Sequence, residues 1–284
     1  MKNNNIPVVS KEYLVPFILI TSLFALWGFA NDITNPMVAA FGTVMEISTA
    51  KAALVQFAFY GGYATMAIPA ALFVQKYSYK KGIIFGLILY ATGALLFYPA
   101  AQYEVFGFFL VSLYILTFGL AFLETTANPF ILSIGDERTA TRRLNLAQSF
   151  NPIGSLLGMF VASKFILAAL DSDKRTATGE LIFTTLDEVQ KAAIRTHDLL
   201  IIRNPYIILG FVVIAMLVII SIYKMPPQAK KDDSFNALES FRRLIGNGKY
   251  REGVIAQMFY VAAQIMCWTF SIQYADNLGI AKST

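Results

Sequence analysis

Leu120-Ala-Phe-Leu-Glu-Thr-Thr-Ala-Asn-Pro-Phe130 sets one carboxylate, Glu124, inside a stretch that is apolar over residues 106–134 apart from this short polar cluster. Such a stretch is long enough to cross a bilayer, which takes roughly 20 apolar residues. A carboxylate at that depth costs roughly 2.5–3.5 kcal/mol on insertion scales, so it faces a bundle interior or a wet cavity. Pro129 has no amide hydrogen; it frees the carbonyl of Thr125 one turn back and loosens the helix beside the acid. The first long apolar segment repeats the device as Ala30-Asn-Asp-Ile-Thr-Asn-Pro36, where Asp32 precedes Asn35-Pro36 as Glu124 precedes Asn128-Pro129. Two proline-interrupted apolar segments with acids in corresponding places point to the binding site of a transporter.

The composition agrees. Hydrophobic residues make up 56% of the 284 and charged residues only 14%, well below the roughly 25% charged of soluble domains. The charges cluster between long apolar runs, so the chain reads as a polytopic membrane protein, and topology rather than nucleic acid explains the net charge of +5. Cys267, the single cysteine, excludes an internal disulfide and a cysteine metal cluster, and the single histidine, His197, falls in a polar loop. A zinc site or a Ser-His nucleophile pair inside the membrane has little material. Phosphate loops, HExxH and Gly-x-Ser-x-Gly are missing. The expectation is a non-enzyme with no metal and no cofactor. The polar start at residues 1–11 and the length of the first apolar run argue against a cleavable signal.

Seven spans can be drawn, at residues 14–44, 52–75, 82–101, 105–134, 144–170, 205–223 and 253–274. Lys76, Lys80 and Lys81 follow span two, Arg138, Arg142 and Arg143 follow span four, and Lys224, Lys230, Lys231, Arg242 and Arg243 follow span six. The opposite side offers Lys51 and a mixed-sign loop at residues 171–204, so the positive-inside rule puts Met1 in the cytoplasm and Asp276 outside. Between spans six and seven, apolar positions 235, 238, 241, 244 and 245 keep helical spacing, which predicts a short amphipathic helix on the inner membrane surface.

Glu124 reads as a group that takes up and releases a proton as access alternates, rather than as a packing carboxyl, and Asp32 follows the same logic. Asn31 and Asn35 beside Asp32 can hydrogen-bond its carboxylate or a sugar hydroxyl. At the start of span five, Asn145, Gln148 and Asn151 are three apart and share one broad helix face. Amides donate and accept, which suits a polyhydroxylated neutral ligand, but they also bridge helices. Asn145 stands evenly between the two roles, while Gln148 and Asn151 read as ligands. Gly154, Ser155 and Gly158 form a small-residue strip for close packing. In span two, Gln56, Phe59, Tyr60 and Tyr63 form one face; such a stripe is more often core than ligand platform, and Tyr60 is the contact put forward. In span seven Gln257, Gln264 and Trp268 share a face, with Gln264 the deeper candidate.

Several stretches carry a family likeness. Phe24-Ala-Leu-Trp-Gly-Phe-Ala-Asn31, Gln56-Phe-Ala-Phe-Tyr-Gly-Gly-Tyr63, Leu123-Glu-Thr-Thr-Ala-Asn-Pro-Phe130, Arg143-Leu-Asn-Leu-Ala-Gln-Ser-Phe-Asn151 and Ala256-Gln-Met-Phe-Tyr-Val-Ala-Ala-Gln-Ile-Met-Cys-Trp268 resemble the L-fucose–proton symporters of the major facilitator superfamily. Tyr77-Ser-Tyr-Lys-Lys-Gly82 resembles a degenerate form of the superfamily's basic loop motif, with Gln75 where an acid is common.

The resemblance implies an all-α fold of two six-helix halves around a central site, moving by alternating access. It implies proton-coupled uptake of L-fucose or a related neutral sugar across the inner membrane, with Glu124 and Asp32 coupling protons. Asn35, Asn128, Asn145, Gln148, Asn151, Gln264 and Tyr60 would contact the sugar. The family's other acid, counted from Trp27, falls at Asn35 here, and Asp32 lies one turn earlier. The division expected is a six-helix half at 1–223, a linker at 224–252 and the first helix of an incomplete second half at 253–284. Half a clamp is not expected to transport, so the alternatives are a truncated inactive fragment or a half needing a partner. A seven-span receptor is disfavoured by the cytoplasmic N-terminus.

Overall fold

The computed structural model describes residues 6–176, 178–226 and 237–278. Six of its helical segments are long and apolar enough to cross a membrane: Lys11–Val44, Thr49–Lys76, Tyr79–Tyr103, Phe106–Ser133, Glu137–Ala169 and Glu188–Ile222. A further helix, Gly248–Asn277, stands where span seven is expected. Strands are absent among the described residues apart from one isolated bridge between Arg175 and Leu181.

Span one packs along span five, span four along spans two and three, and span six along span three. Small residues set the tightest approach. A Cβ added to Gly154 would sit 1.8 Å from the Ala25 carbonyl oxygen, and one added to Gly28 would sit 2.1 Å from that of Asn151. Spans one and five therefore touch backbone to backbone along the expected strip, the close contact that small residues allow between membrane helices.

Span one is interrupted where the sequence requires it. Its first helix, Leu14–Thr34, ends at Asn35-Pro36, and a second, Met37–Val44, completes the crossing. Thr34 Oγ1 donates to Ala30 O (2.7 Å) and meets Tyr206 Oη of span six at 3.0 Å. Tyr206 in turn stacks on Phe97 with centroids 3.8 Å apart, so the break is bolted to spans three and six. Span four behaves differently: Phe106–Ser133 runs unbroken through Pro129. The Asn128 amide donates to the Glu124 carbonyl (3.1 Å), and the Thr125 hydroxyl donates to the Ala121 carbonyl (2.7 Å). Such side-chain bonds help a membrane helix tolerate a proline.

Span six departs from expectation: its helix begins at Glu188 instead of residue 205, and Pro205 lies inside it. Asp187 caps the start by accepting from the Gln190 amide (2.8 Å), and Leu199 and Ile202 are fully buried. The helix thus continues beyond the apolar run, and His197 sits on it rather than in a loop. Span five is also more broken than drawn. Ala140–Gln148 and Phe150–Val161 meet at Ser149, and a π turn, Ala162–Ile166, follows.

Arg143, read as a basic loop residue, is 1% exposed. It donates to the carbonyls of Ile131 (2.9 Å), Leu132 (3.2 Å), Asp136 (3.2 Å) and Val8 (3.4 Å) and to Thr139 Oγ1 (3.0 Å), closing the end of span four over the N-terminal segment. The short linker helix is Ala237–Gly246, with Phe241, Leu244 and Ile245 exposed. Phe235, Lys230, Lys231 and residues 279–284 lie outside the described residues, as do the side chains of Trp268 and Asp276.

Candidate functional site

A cavity of about 300 Å³ opens between spans one, two, four and five and is bordered by the seventh helix. Trp27 and Asn31 line it from span one, Tyr60 and Tyr63 from span two, Glu124 from span four and Asn151 from span five. Val261, Gln264 and Ile265 face it from span seven. Each wall follows from helical spacing: Trp27 and Asn31 are one turn apart, as are Tyr60 and Tyr63. Phe59 anchors both tyrosines in the core, with ring centroids 5.4 Å from Tyr60 and 5.9 Å from Tyr63.

The polar groups are ordered by their neighbours. Tyr60 Oη donates to Asn31 Oδ1 (3.4 Å), and Asn151 Nδ2 donates to the Phe24 carbonyl (3.2 Å), tying span five to span one at the cavity wall. Beside the cavity runs a short chain: Gln56 Nε2 donates to Asn35 Oδ1 (3.3 Å), and Asn35 Nδ2 donates to Asp32 Oδ1 (3.1 Å). Asp32 and Asn35 are therefore one hydrogen-bonded unit across the turn before Pro36. Glu124 has no salt bridge among the described residues.

Of the residues expected to meet a ligand, Glu124, Tyr60, Asn151 and Gln264 converge on the cavity. Asp32 and Asn35 adjoin it through the hydrogen-bond chain. Asn128 and Gln148 form a branch of their own: Gln148 Nε2 donates to Asn128 Oδ1 (3.0 Å), and Asn128 holds the Glu124 carbonyl. Asn145 is exposed. Of the three span-five amides, only Asn151 lines the cavity. Trp27, Val261 and Ile265 were not anticipated. An indole in the helix turn before Asn31 was the available signal for Trp27; the two aliphatic residues had none.

Away from this cavity, Asp171, His197 and Asp198 bring their ligand atoms within 4.8 Å of one another. Asp198 already accepts from the amides of Asp171 (3.0 Å) and Ser172 (2.8 Å), and Asp171 pairs with Lys174 at 2.7 Å. The cluster is accounted for as a clamp between span six and the loop before it.

Set against known proteins, the chain is 66% identical over 280 residues to an L-fucose-proton symporter of Haemophilus influenzae, covering 98% of this chain and 65% of that protein. It is 37% identical over 272 residues to the L-fucose-proton symporter of Escherichia coli, covering 94% and 60% respectively. The chain therefore spans less than two thirds of these relatives. The crystal structure of the E. coli fucose:proton symporter matches with a TM-score of 0.75 and 35% identity over 93% of this chain and 63% of that one. These relatives are transporters, not enzymes. A family model described as the Major Facilitator Superfamily matches residues 18–282, from within span one to past the end of span seven. With its helix pairing, its interrupted first span and this match along nearly its whole length, the chain belongs to the major facilitator superfamily.

Proposed function

We propose that this chain supplies the proton-binding half of a secondary transporter that imports L-fucose or a related neutral sugar together with protons. Residues 1–223 act as the first six-helix half, 224–252 as a cytoplasmic linker and 253–284 as the start of the second half. The protein sits in the inner membrane with its N-terminus in the cytoplasm. The basic residues after spans two, four and six support that orientation. The sugar and the proton are taken from the names of the relatives, which span more than this chain does.

The observation that carries the reading is one carboxylate, Glu124, lining a cavity whose other polar groups are amides, tyrosine hydroxyls and an indole. Amides and hydroxyls both donate and accept, which matches the hydroxyl groups of a sugar. An unpaired carboxylate sealed from water costs roughly several kcal/mol, so Glu124 takes up a proton before the cavity closes and gives it up where the cavity reopens. Asp32, held by Asn35, is the second proton carrier, one turn from the position at which the resembled family has its acid. Asn31, Tyr60, Asn151 and Gln264 bind the sugar directly, with Asn35 beside them. Asn128, Gln148 and Asn145 complete the ligand set when the opposing half closes over span five. Alternating access then carries sugar and proton inwards together.

The test is uptake of L-fucose by cells carrying the chain restored to the full length of its relatives, with and without Glu124→Gln. Uphill accumulation is expected to vanish while exchange of internal for external sugar persists. Unchanged uphill accumulation would remove Glu124 from proton coupling and with it this reading.

A further inference from the structure

Tyr63 presents a buried hydroxyl to the same cavity and makes no hydrogen bond there. The Trp27 indole lies close by without reaching hydrogen-bond geometry. An indole N–H can only donate, so even a shortened contact would leave the tyrosine's own proton unspent. Burying a donor without an acceptor costs about 1–3 kcal/mol. Tyr60, one turn earlier, differs in this respect, because its hydroxyl already donates to Asn31.

The ionisable groups facing Tyr63 are Glu124 from span four, Tyr90 from span three and Tyr60 on its own helix. Tyr90 is committed elsewhere, donating to the Leu26 carbonyl at 3.0 Å. Trp27 and Asn31 from span one, Asn151 from span five and Gln264 from span seven do not titrate. Of the acceptors on the wall, the Glu124 carboxylate is the one whose capacity to accept changes with its protonation; the other acceptor that matters here is an oxygen of whatever occupies the cavity.

We infer that Tyr63 is a positioning residue that links the two events, donating to ionised Glu124 in the empty cavity and to a sugar oxygen once Glu124 is protonated. Sugar binding and proton binding then favour each other, because each frees the same hydroxyl for the other's benefit. The inference rests on the proton-coupled sugar reading above and adds a specific coupling group to it.

The experiment is equilibrium binding of L-fucose in native membranes across mildly acidic to mildly alkaline pH, comparing wild type with Tyr63→Phe, Tyr60→Phe and Glu124→Gln. Wild type is expected to bind more weakly as pH rises. Tyr63→Phe is expected to lose about tenfold in affinity at the acid end, the equivalent of about 1.4 kcal/mol, and to show a flattened pH profile. Tyr60→Phe keeps the wild-type slope. A Tyr63→Phe profile that is unchanged, or uniformly lowered with the wild-type slope, overturns the linking role. Failure of wild type to bind L-fucose, or a wild-type slope in Glu124→Gln, instead overturns the underlying reading.

Discussion

Gly154→Ala adds one methyl group at the tightest contact between spans one and five. The new Cβ would sit 1.8 Å from the Ala25 carbonyl oxygen and 2.6 Å from its carbon, whereas ordinary contacts begin at 3.4 Å. The helices must separate locally by about 1.6 Å, because both partners are backbone and neither can rotate away. Asn151 lies one turn before Gly154, and its 3.2 Å bond to the Phe24 carbonyl does not survive that displacement. Overpacking costs about 1–3 kcal/mol and the lost hydrogen bond about 0.5–1.5 kcal/mol. Better helix propensity returns about 1 kcal/mol. The net loss is about 0.5–3.5 kcal/mol, read as a fall of about 5 °C in the thermal midpoint of the purified protein. Gly158→Ala, with its nearest contact at 2.6 Å, should fall less, and Gly107→Ala, with nothing within 4 Å, should not fall. On the proposed reading, L-fucose affinity should also drop about fivefold in Gly154→Ala, since the loss of one hydrogen bond leaves Asn151 unplaced. Equal midpoints for all three variants would refute the backbone contact between spans one and five.

Arg143→Met should destabilise the protein by about 3 kcal/mol, because it strips donors from the buried carbonyls of Ile131 and Leu132 at the end of span four. It should also expose the chain before Leu14 to protease, since the bond to Val8 is lost, whereas exposed Arg142→Met should match wild type in both assays. In the loop after span four, hydrogen bonds from Arg138 push the Asp136 carboxyl down to about 2. Its folded value lies below its unfolded one, so its stabilisation is complete above about pH 4 and is lost as pH falls towards 2. The melting difference between wild type and Asp136→Asn should therefore stay constant through the physiological range and shrink only in strong acid. A difference that changes around neutrality would show that another group is responsible.

The features legible in advance were those whose outcome rests mainly on the residues of one segment. Proline without an amide hydrogen broke span one at Asn35-Pro36, and glycines spaced by four brought two backbones together. A lone acid in an apolar run lined a cavity. What escaped notice depended on partners distant in sequence. Arg142 and Arg143 are neighbours of one composition, yet helix register turns only the second towards the carbonyl end of span four, and neither residue announces this. Span six extends back to Glu188, with Leu199 and Ile202 buried and Asp198 accepting from the amides of Asp171 and Ser172. Hydropathy sees only the charged residues between them. Of the three amides spaced by three on span five, only Asn151 lines the cavity, since spacing alone does not say at what depth the cavity lies.

Span one and span four show how much the same local signal can vary in result. Both read acid, then Asn-Pro, but only span one breaks. Span four is packed on both sides by spans two and three, and the amide of Asn128 holds the carbonyl of Glu124. Span one leaves its packing with span five by Asn35, and its two half-helices are pinned separately by Tyr206 and by the core around Phe41. The consequence is functional. Glu124 is carried on a continuous rod, whereas Asp32 sits at a joint whose hydrogen bond to Asn35 crosses the turn before Pro36. On the proposed reading, movement of the two halves of span one would change the surroundings of Asp32, while those of Glu124 stay set by the packing of span four.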